Sequence, residues 1–243
     1  MTDGLLLLHA WPVDARMWDP QREALRDVAV VAPHLPGFGG TEPAGEVMTM
    51  RAAFDRAVAE LDAAGIDRAV VCGLSLGGYV AFEMWRTAPE RVAGLVFANT
   101  RAVADPPEGA EARRALAQRL RSEGNVLGDQ PPPLLSGGAS ETLWARVRSW
   151  IADQPADAIA AAALGMAERP DSTPDLPTID VPTLVITSTE DTLIAPAVTA
   201  EMAGQIPGAR LQTIEGAGHL SNVEATEAFG EALQDHLALC GVV

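Results

Sequence analysis

The sequence predicts an α/β fold, with a six-stranded, mostly parallel sheet and helices on both of its faces. Three observations lead there. Short apolar runs alternate with amphipathic stretches, the pattern of buried parallel strands joined by crossover helices. The chain has 243 residues, 48% of them hydrophobic, enough for one large core. Gly73-Leu74-Ser75-Leu76-Gly77-Gly78 follows the apolar run 69–72 and precedes a helix-like stretch, the setting of a sharp strand-to-helix turn.

The first strand is 5–8. It is a run of leucines with no basic residue before it, so it reads as a buried strand and not as a secretion leader. The second strand is 28–32. A helix over 50–64 follows, because Phe54, Val58 and Leu61 recur at helical spacing and Gly65 is a natural stop. Strand 69–72, helix 76–87 and strand 94–98 complete the first half. Thr100 to Pro182 then puts 83 residues between consecutive strands, where a crossover of about 30 suffices. The excess reads as helices over 108–122, 141–152 and 156–168, with Pro131-Pro132-Pro133 dividing the first from the second. Residues 169–182 hold four prolines and form a return linker. Strand 183–187, helix 197–205, strand 210–214 and helix 224–239 close the chain.

The expected organisation is a core of 1–100 and 183–243 with a helical cap insertion, 101–182. The cap is placed over the C-terminal edge of the sheet, where open α/β sheets bind ligands. Trp144, Trp150, Met166 and Arg146 are expected to line a pocket from above; for the tryptophans and the methionine, packing the cap together is the alternative.

The formal net charge is −16, and all 17 basic residues are arginine. This argues against nucleic acid and anionic membranes as partners, since both require clustered cations. It also excludes lysine Schiff-base chemistry. No apolar run approaches the ~20 residues of a membrane span. With two cysteines, Cys72 and Cys240, no disulfide framework is expected, and a reducing cytoplasm is the default location. The sequence holds no metal-type Cys/His cluster, no G-x-G-x-x-G and no internal repeat.

The glycine-flanked serine carries the chemistry. In a strand–turn–helix setting, G-x-S-x-G is a nucleophile elbow that lifts the Ser75 hydroxyl above the sheet. The helix behind it directs unpaired N–H groups at the place where negative charge develops. A serine needs a base. His219, in the flexible loop Gly216-Ala217-Gly218-His219 after the last strand, is the candidate; His9 and His34 also lie near the sheet edge, and His236 falls within the last helix. The base needs a carboxylate to orient it. Asp191 follows the strand 183–187, with Glu190 as its competitor and Asp105 as a more distant choice. Oxyanion donors are expected at the backbone N–H groups of Leu76 and Trp11.

The order Ser75, Asp191, His219, with the elbow and the two loops, resembles the α/β-hydrolase-fold serine hydrolases over nearly the whole chain. His9-Ala10-Trp11-Pro12 stands where that family has a His-Gly-x-Pro turn, and Pro33-His34-Leu35-Pro36-Gly37-Phe38-Gly39-Gly40 resembles its glycine-rich loop. Within the family, the elbow, Ala98-Asn99-Thr100 and Gly218-His219-Leu220-Ser221-Asn222-Val223-Glu224 are most similar to the 3-oxoadipate enol-lactonases. The resemblance implies hydrolysis of a small-molecule lactone or ester through an acyl-enzyme, with no cofactor and no metal. It also implies a substrate carboxylate, for which Arg16, Arg101, Arg146 and Arg148 are candidates by location. The chain begins at the strand leading into His9, so the antiparallel pair common in the family is expected to be absent. That start is also similar to pimeloyl-carrier-protein methyl esterases. Ser75 disfavours the aspartate-nucleophile branches, epoxide hydrolases and dehalogenases; a carboxylesterase, a cofactor-free perhydrolase or a ligand receptor of the same fold remain as alternatives.

Overall fold

The computed structural model describes residues 2–242. In chain order the elements are β1 (Asp3–Leu8), α1 (Asp19–Ala24), β2 (Val30–Val31), α2 (Met50–Ala63), β3 (Arg68–Leu74), α3 (Leu76–Thr87) and β4 (Val92–Ala98). They continue as α4 (Pro107–Glu123), α5 (Glu141–Ala152), α6 (Ala156–Glu168), β5 (Thr183–Ser188), α7 (Pro196–Gly204), β6 (Arg210–Ile214), α8 (Ser221–Glu224) and α9 (Thr226–Leu239).

The strands form one sheet in the order β2-β1-β3-β4-β5-β6. Every neighbouring pair is parallel, with Leu5 opposite Val70, Val71 opposite Leu95 and Phe97 opposite Val185. The leucines of β1 are fully buried because helices cover both faces of a parallel sheet. From β1 the chain runs to one edge, at β2, then returns to β3 and builds outward to the other edge. This reversal between β1 and β3 leaves a crevice at their C-terminal ends. Both Trp11, after β1, and Ser75, after β3, lie there.

Most expected elements end within one or two residues of the observed ones, and two of the differences have a clear cause. The strand expected over 28–32 pairs only at Val30 and Val31, since it is a half-exposed edge with one neighbour. The helix expected over 224–239 is split at Ala225, whose φ of −123° leaves helical space. The cause lies just before the break. Ser221 and Asn222 are buried and bonded to Asn99 and Met17, and the Glu224 carboxylate accepts from Gly218 N–H, so α8 is tied to the site loop.

Between β4 and β5 the chain folds as α4, α5 and α6. Helix α6 is alanine-rich and almost wholly buried, and it packs along α4. A side chain at Gly165 would collide with the Met48 carbonyl, and Met48 N–H donates to the Ala161 carbonyl at 3.0 Å. Small residues thus let α6 rest directly on the segment before α2. Among the described residues no helix is long and apolar enough to cross a membrane.

Two buried histidines predict how stability depends on pH. His9 accepts from Leu35 N–H at 3.0 Å through Nε2 and bonds the Ala10 carbonyl at 2.9 Å through Nδ1, which fixes a neutral ring. Burial pushes its pKa down from 6.5 to about 4. Burial, with the charge of Arg210, does the same to His236, also to about 4. The unfolded chain takes up these protons below pH 6.5 while the folded one refuses them. Stability is therefore full above 6.5 and falls as pH drops toward 4, by about 3 kcal/mol per histidine. Urea midpoints measured from pH 8 to 4.5 should decline below 6.5; a flat profile would contradict the neutral assignment.

Candidate active site

Ser75 sits between β3 and α3 with φ 55° and ψ −112°, a strained backbone for any residue but glycine. Neighbouring glycines make the turn possible. A Cβ at Gly73 would fall on the Gly77 backbone, and one at Gly77 on the Leu8 carbonyl, both closer than the 3.0 Å that real side chains keep. Gly78 leaves room for Thr100, whose hydroxyl donates to the Ser75 carbonyl at 2.8 Å. Leu76 is the first residue of α3, so its N–H has no acceptor within the helix and faces the positive end of the helix dipole.

His219 hangs from the loop between β6 and α8. Its Nδ1 lies 2.8 Å from Asp191 Oδ2, and both side chains are buried. Asp191 is held by a tight turn after β5: its Oδ1 accepts from Leu193 and Ile194 N–H at 2.9 and 3.0 Å. Its Oδ2 also accepts from Asn99 Nδ2 at 3.0 Å. Burial alone would push this carboxyl up, but the His219 bond and charge, the Ile194 N–H and Asn99 outweigh it and hold it below the usual range. An ionised carboxylate only accepts, so His219 Nδ1 is the donor of this bond. Ser75 and His219 line the same cavity.

The competing residues lie elsewhere. Glu190 is exposed, while Asp105 is surrounded by arginines. His9 supports the loop at Leu35, His34 Nδ1 accepts from Ala15 N–H at 3.3 Å, and His236 packs in α9 behind Gly94.

Asn99 is the residue that sequence reasoning undervalued. It follows β4 with φ 44° and is fully buried. Its Nδ2 donates to Ser188 Oγ at 2.6 Å as well as to Asp191, and its Oδ1 accepts from Ser221 Oγ at 2.6 Å. Ser188 Oγ in turn donates to the Gly218 carbonyl at 2.6 Å. One amide thus ties β4, the Asp191 turn and the His219 loop together. A lone Asn after a strand carries no sequence signal for this; only its three partners, 89 to 122 residues away, reveal it.

The cavity wall corrects part of the expected pocket. Met166 lines it, as do Trp11, Tyr79 and Ile194. Trp144, Trp150 and Arg146 do not. Helix α6 is the one seated on the core here, with the Trp11 indole N–H donating to the Ile159 carbonyl at 3.0 Å. Helix α5 buries Val147, Trp150 and Ile151 against its own surroundings and sends its end toward Asp14, through Gln154 at 2.8 Å. Trp144 is half-buried beneath the Arg148 guanidinium, and Arg146 is exposed. Of the arginines named for a substrate carboxylate, Arg16 is paired with Asp14 and Asp153, and Arg148 with Glu141. Arg101 alone of the four lines the cavity, and it is joined there by Arg113 from α4, which looks like any surface arginine in the sequence.

A family model described as the alpha/beta hydrolase family matches residues 5–232. The chain belongs to that family. Among known structures, this alpha/beta hydrolase is similar to a thermophilic esterase from Thermogutta terrifontis, at 38% identity and a TM-score of 0.94, over 99% of this chain and 90% of the other. It is also similar to the enol-lactonase from Burkholderia xenovorans LB400, at 28% identity and a TM-score of 0.88, over 98% and 92%. A curated relative is the pimeloyl-[acyl-carrier protein] methyl ester esterase of Neisseria meningitidis, 29% identical over 94% of this chain and 91% of its own length. In this hydrolase the cavity lined by Ser75 and His219 lies at the C-terminal ends of the parallel strands, where open α/β sheets bind ligands.

Proposed function

We propose that the chain is a serine hydrolase that cleaves a carboxylic ester or lactone through an acyl-enzyme, with Ser75 as nucleophile, His219 as base and Asp191 as orienting acid. The observation that carries this reading is the buried Asp191–His219 pair sharing one cavity with a serine on a strained turn. Ser75 Oγ attacks the carbonyl carbon while its proton passes to His219 Nε2. The oxyanion is met by the N–H groups of Leu76 and Trp11, each worth roughly 3 kcal/mol of barrier. Collapse breaks the C–O bond, and His219 returns the proton to the leaving oxygen. Water then attacks the acyl carbon while giving a proton to His219, the acyl–Oγ bond breaks, and His219 returns the proton to Ser75 Oγ. With a lactone the leaving oxygen stays tethered, so the whole product is held as the acyl group until water releases it.

The favoured substrate is an enol-lactone of a small carboxylic acid, supported by the Burkholderia structure and by the elbow and histidine-loop residues. The methyl ester reading is second, supported by the Neisseria relative. Helices α4 to α6 act as the cap that selects between them. A fluorophosphonate probe should label the native protein at Ser75 and leave Ser75→Ala unlabelled. Absence of labelling, together with no hydrolysis of lactones, methyl esters or thioesters, would overturn the assignment.

Asn99 acts here as a positioning residue for Asp191. Asn99→Ala leaves two buried hydroxyls and one carboxylate oxygen short of a partner, at about 1–3 kcal/mol for each unsatisfied group. It is expected to lower the urea midpoint and to lower kcat with KM little changed, because Asp191 loses a donor that fixes it against the His219 ring. An unchanged kcat would confine Asn99 to a structural role.

A further inference from the structure

We infer that Arg101 and Arg113 form an anion subsite in the Ser75 cavity, built to hold a second, free carboxylate on the ester or lactone substrate. This rests on the serine hydrolase reading above and names the substrate class of that site.

The wall holds a surplus of positive charge. Three guanidiniums, Arg101, Arg113 and Arg169, converge on one carboxylate, Asp105, which is 2% exposed. Burial would push the Asp105 carboxyl up, but the arginines hold it down at about 2, so it stays charged and counts as a single negative. Asp171 also feels Arg169, yet it is exposed and its carboxylate is engaged by Thr173. Elsewhere in this acidic chain the pattern is reversed. Arg22, Arg26, Arg51, Arg56 and Arg119 each have a carboxylate of their own in solvent.

The arrangement is also incomplete as a structural cluster. Arg101 Nε and Arg169 Nε are buried with no hydrogen-bond partner, an unfavourable state for a charged donor. Arg169 is the inner brace. Its Cζ stacks 4.0 Å from the centre of the Tyr79 ring, and it donates to the Met166 and Val103 carbonyls at 2.7 and 2.9 Å. Arg101 and Arg113 are the outer pair. Both are about a quarter exposed and both line the cavity with Ser75 and His219. Asp105, one negative charge against three positive, thus holds Arg101 and Arg113 in the wall of the cavity that Ser75 and His219 line. Planar guanidinium forks match a carboxylate in two parallel hydrogen bonds.

The test compares half-esters with neutral esters. Monomethyl esters of four- to eight-carbon dicarboxylic acids are assayed against the corresponding dimethyl esters. The native enzyme should prefer the half-ester of matching length by about tenfold or more in kcat/KM. Arg113→Gln and Arg101→Gln should each reduce that ratio about 10- to 100-fold, the effect of one charge-assisted pair. Arg114→Gln removes the same charge from the exposed side of α4 and should leave the ratio alone. Should Arg113→Gln not fold, Arg113→Lys keeps a charge beside Asp105 but loses the fork, and the ratio should still fall. Binding separates this idea from the catalytic one. Ser75→Ala should bind the free dicarboxylate by calorimetry, and Ser75→Ala/Arg113→Gln should bind it at least tenfold more weakly. Monomethyl phosphonate in place of the carboxylate distinguishes a general anion site from a carboxylate site; equal or tighter binding of it would overturn the carboxylate assignment. No preference for half-esters in an enzyme labelled at Ser75 would overturn the subsite and leave the hydrolase standing. Dicarboxylate binding in a protein that hydrolyses nothing and escapes the probe would support the subsite and overturn the hydrolase.

Discussion

On the proposed function, Ser75→Ala is expected to lower ester turnover by about six orders of magnitude, as removal of the nucleophile does in serine hydrolases with a triad. The substitution deletes one oxygen and leaves the rest of the site in place. Asp191 and His219 would still meet at 2.8 Å, and Leu76 would still begin α3. The residual rate would come from binding and the oxyanion donors acting on water. Stability should move little, because the side chain at 75 is on the cavity wall and alanine tolerates φ 55° about as poorly as serine does. Steady-state kinetics with enzyme free of wild-type contamination, beside a urea titration, check both halves. Retention of more than a hundredth of the activity would remove Ser75 from the nucleophile role.

Gly77→Ala is expected to be among the most damaging changes in the chain, costing more than about 4 kcal/mol or preventing folding. The added methyl would overlap the carbonyl of Leu8, which is backbone of the fully buried strand β1. Strand β1 is hydrogen-bonded on both sides, to β2 and to β3, so it has nowhere to retreat. Gly230→Ala is the matched comparison. Nothing lies within 4 Å of a Cβ there, in the interior of α9, so that change should stabilise by about 0.5–1 kcal/mol. Urea midpoints of the two variants should therefore shift in opposite directions. Equal, small effects would mean that the elbow turn can open.

Helical propensity alone does not separate those two glycines, since both fall in helical segments. Gly77 was legible only because it belongs to a motif with a serine two residues before it and an apolar strand behind it. The same holds for larger pieces. Helix α3 and strand β6 are found where apolar periodicity put them, at Leu76–Thr87 and Arg210–Ile214, since each is bounded by its own local stop signals. The helix expected over 224–239 broke at Ala225 because Ser221, Asn222 and Glu224 are engaged by residues far away in the chain. The tryptophans of α5 were misplaced for a related reason. An aromatic on an amphipathic helix advertises burial, but not which neighbour buries it.

By itself the sequence determined the sheet and its parallel character, and the strand-end loops that carry Ser75, Asp191 and His219. These are local matters: strand periodicity, glycine demanded by a tight turn, a polar residue just past a strand. Tertiary structure alone decided that α6 and not α5 covers the cavity. It also decided that Asn99 links the Asp191 turn to the His219 loop, and that Arg113 joins Arg101 around Asp105. Each of those outcomes depends on which surfaces meet after the chain has folded. Arg113 and Arg114 are adjacent arginines on one helix; helical geometry points them in different directions, but only the packing of α4 makes one direction the cavity and leaves the other in solvent, paired with Glu111.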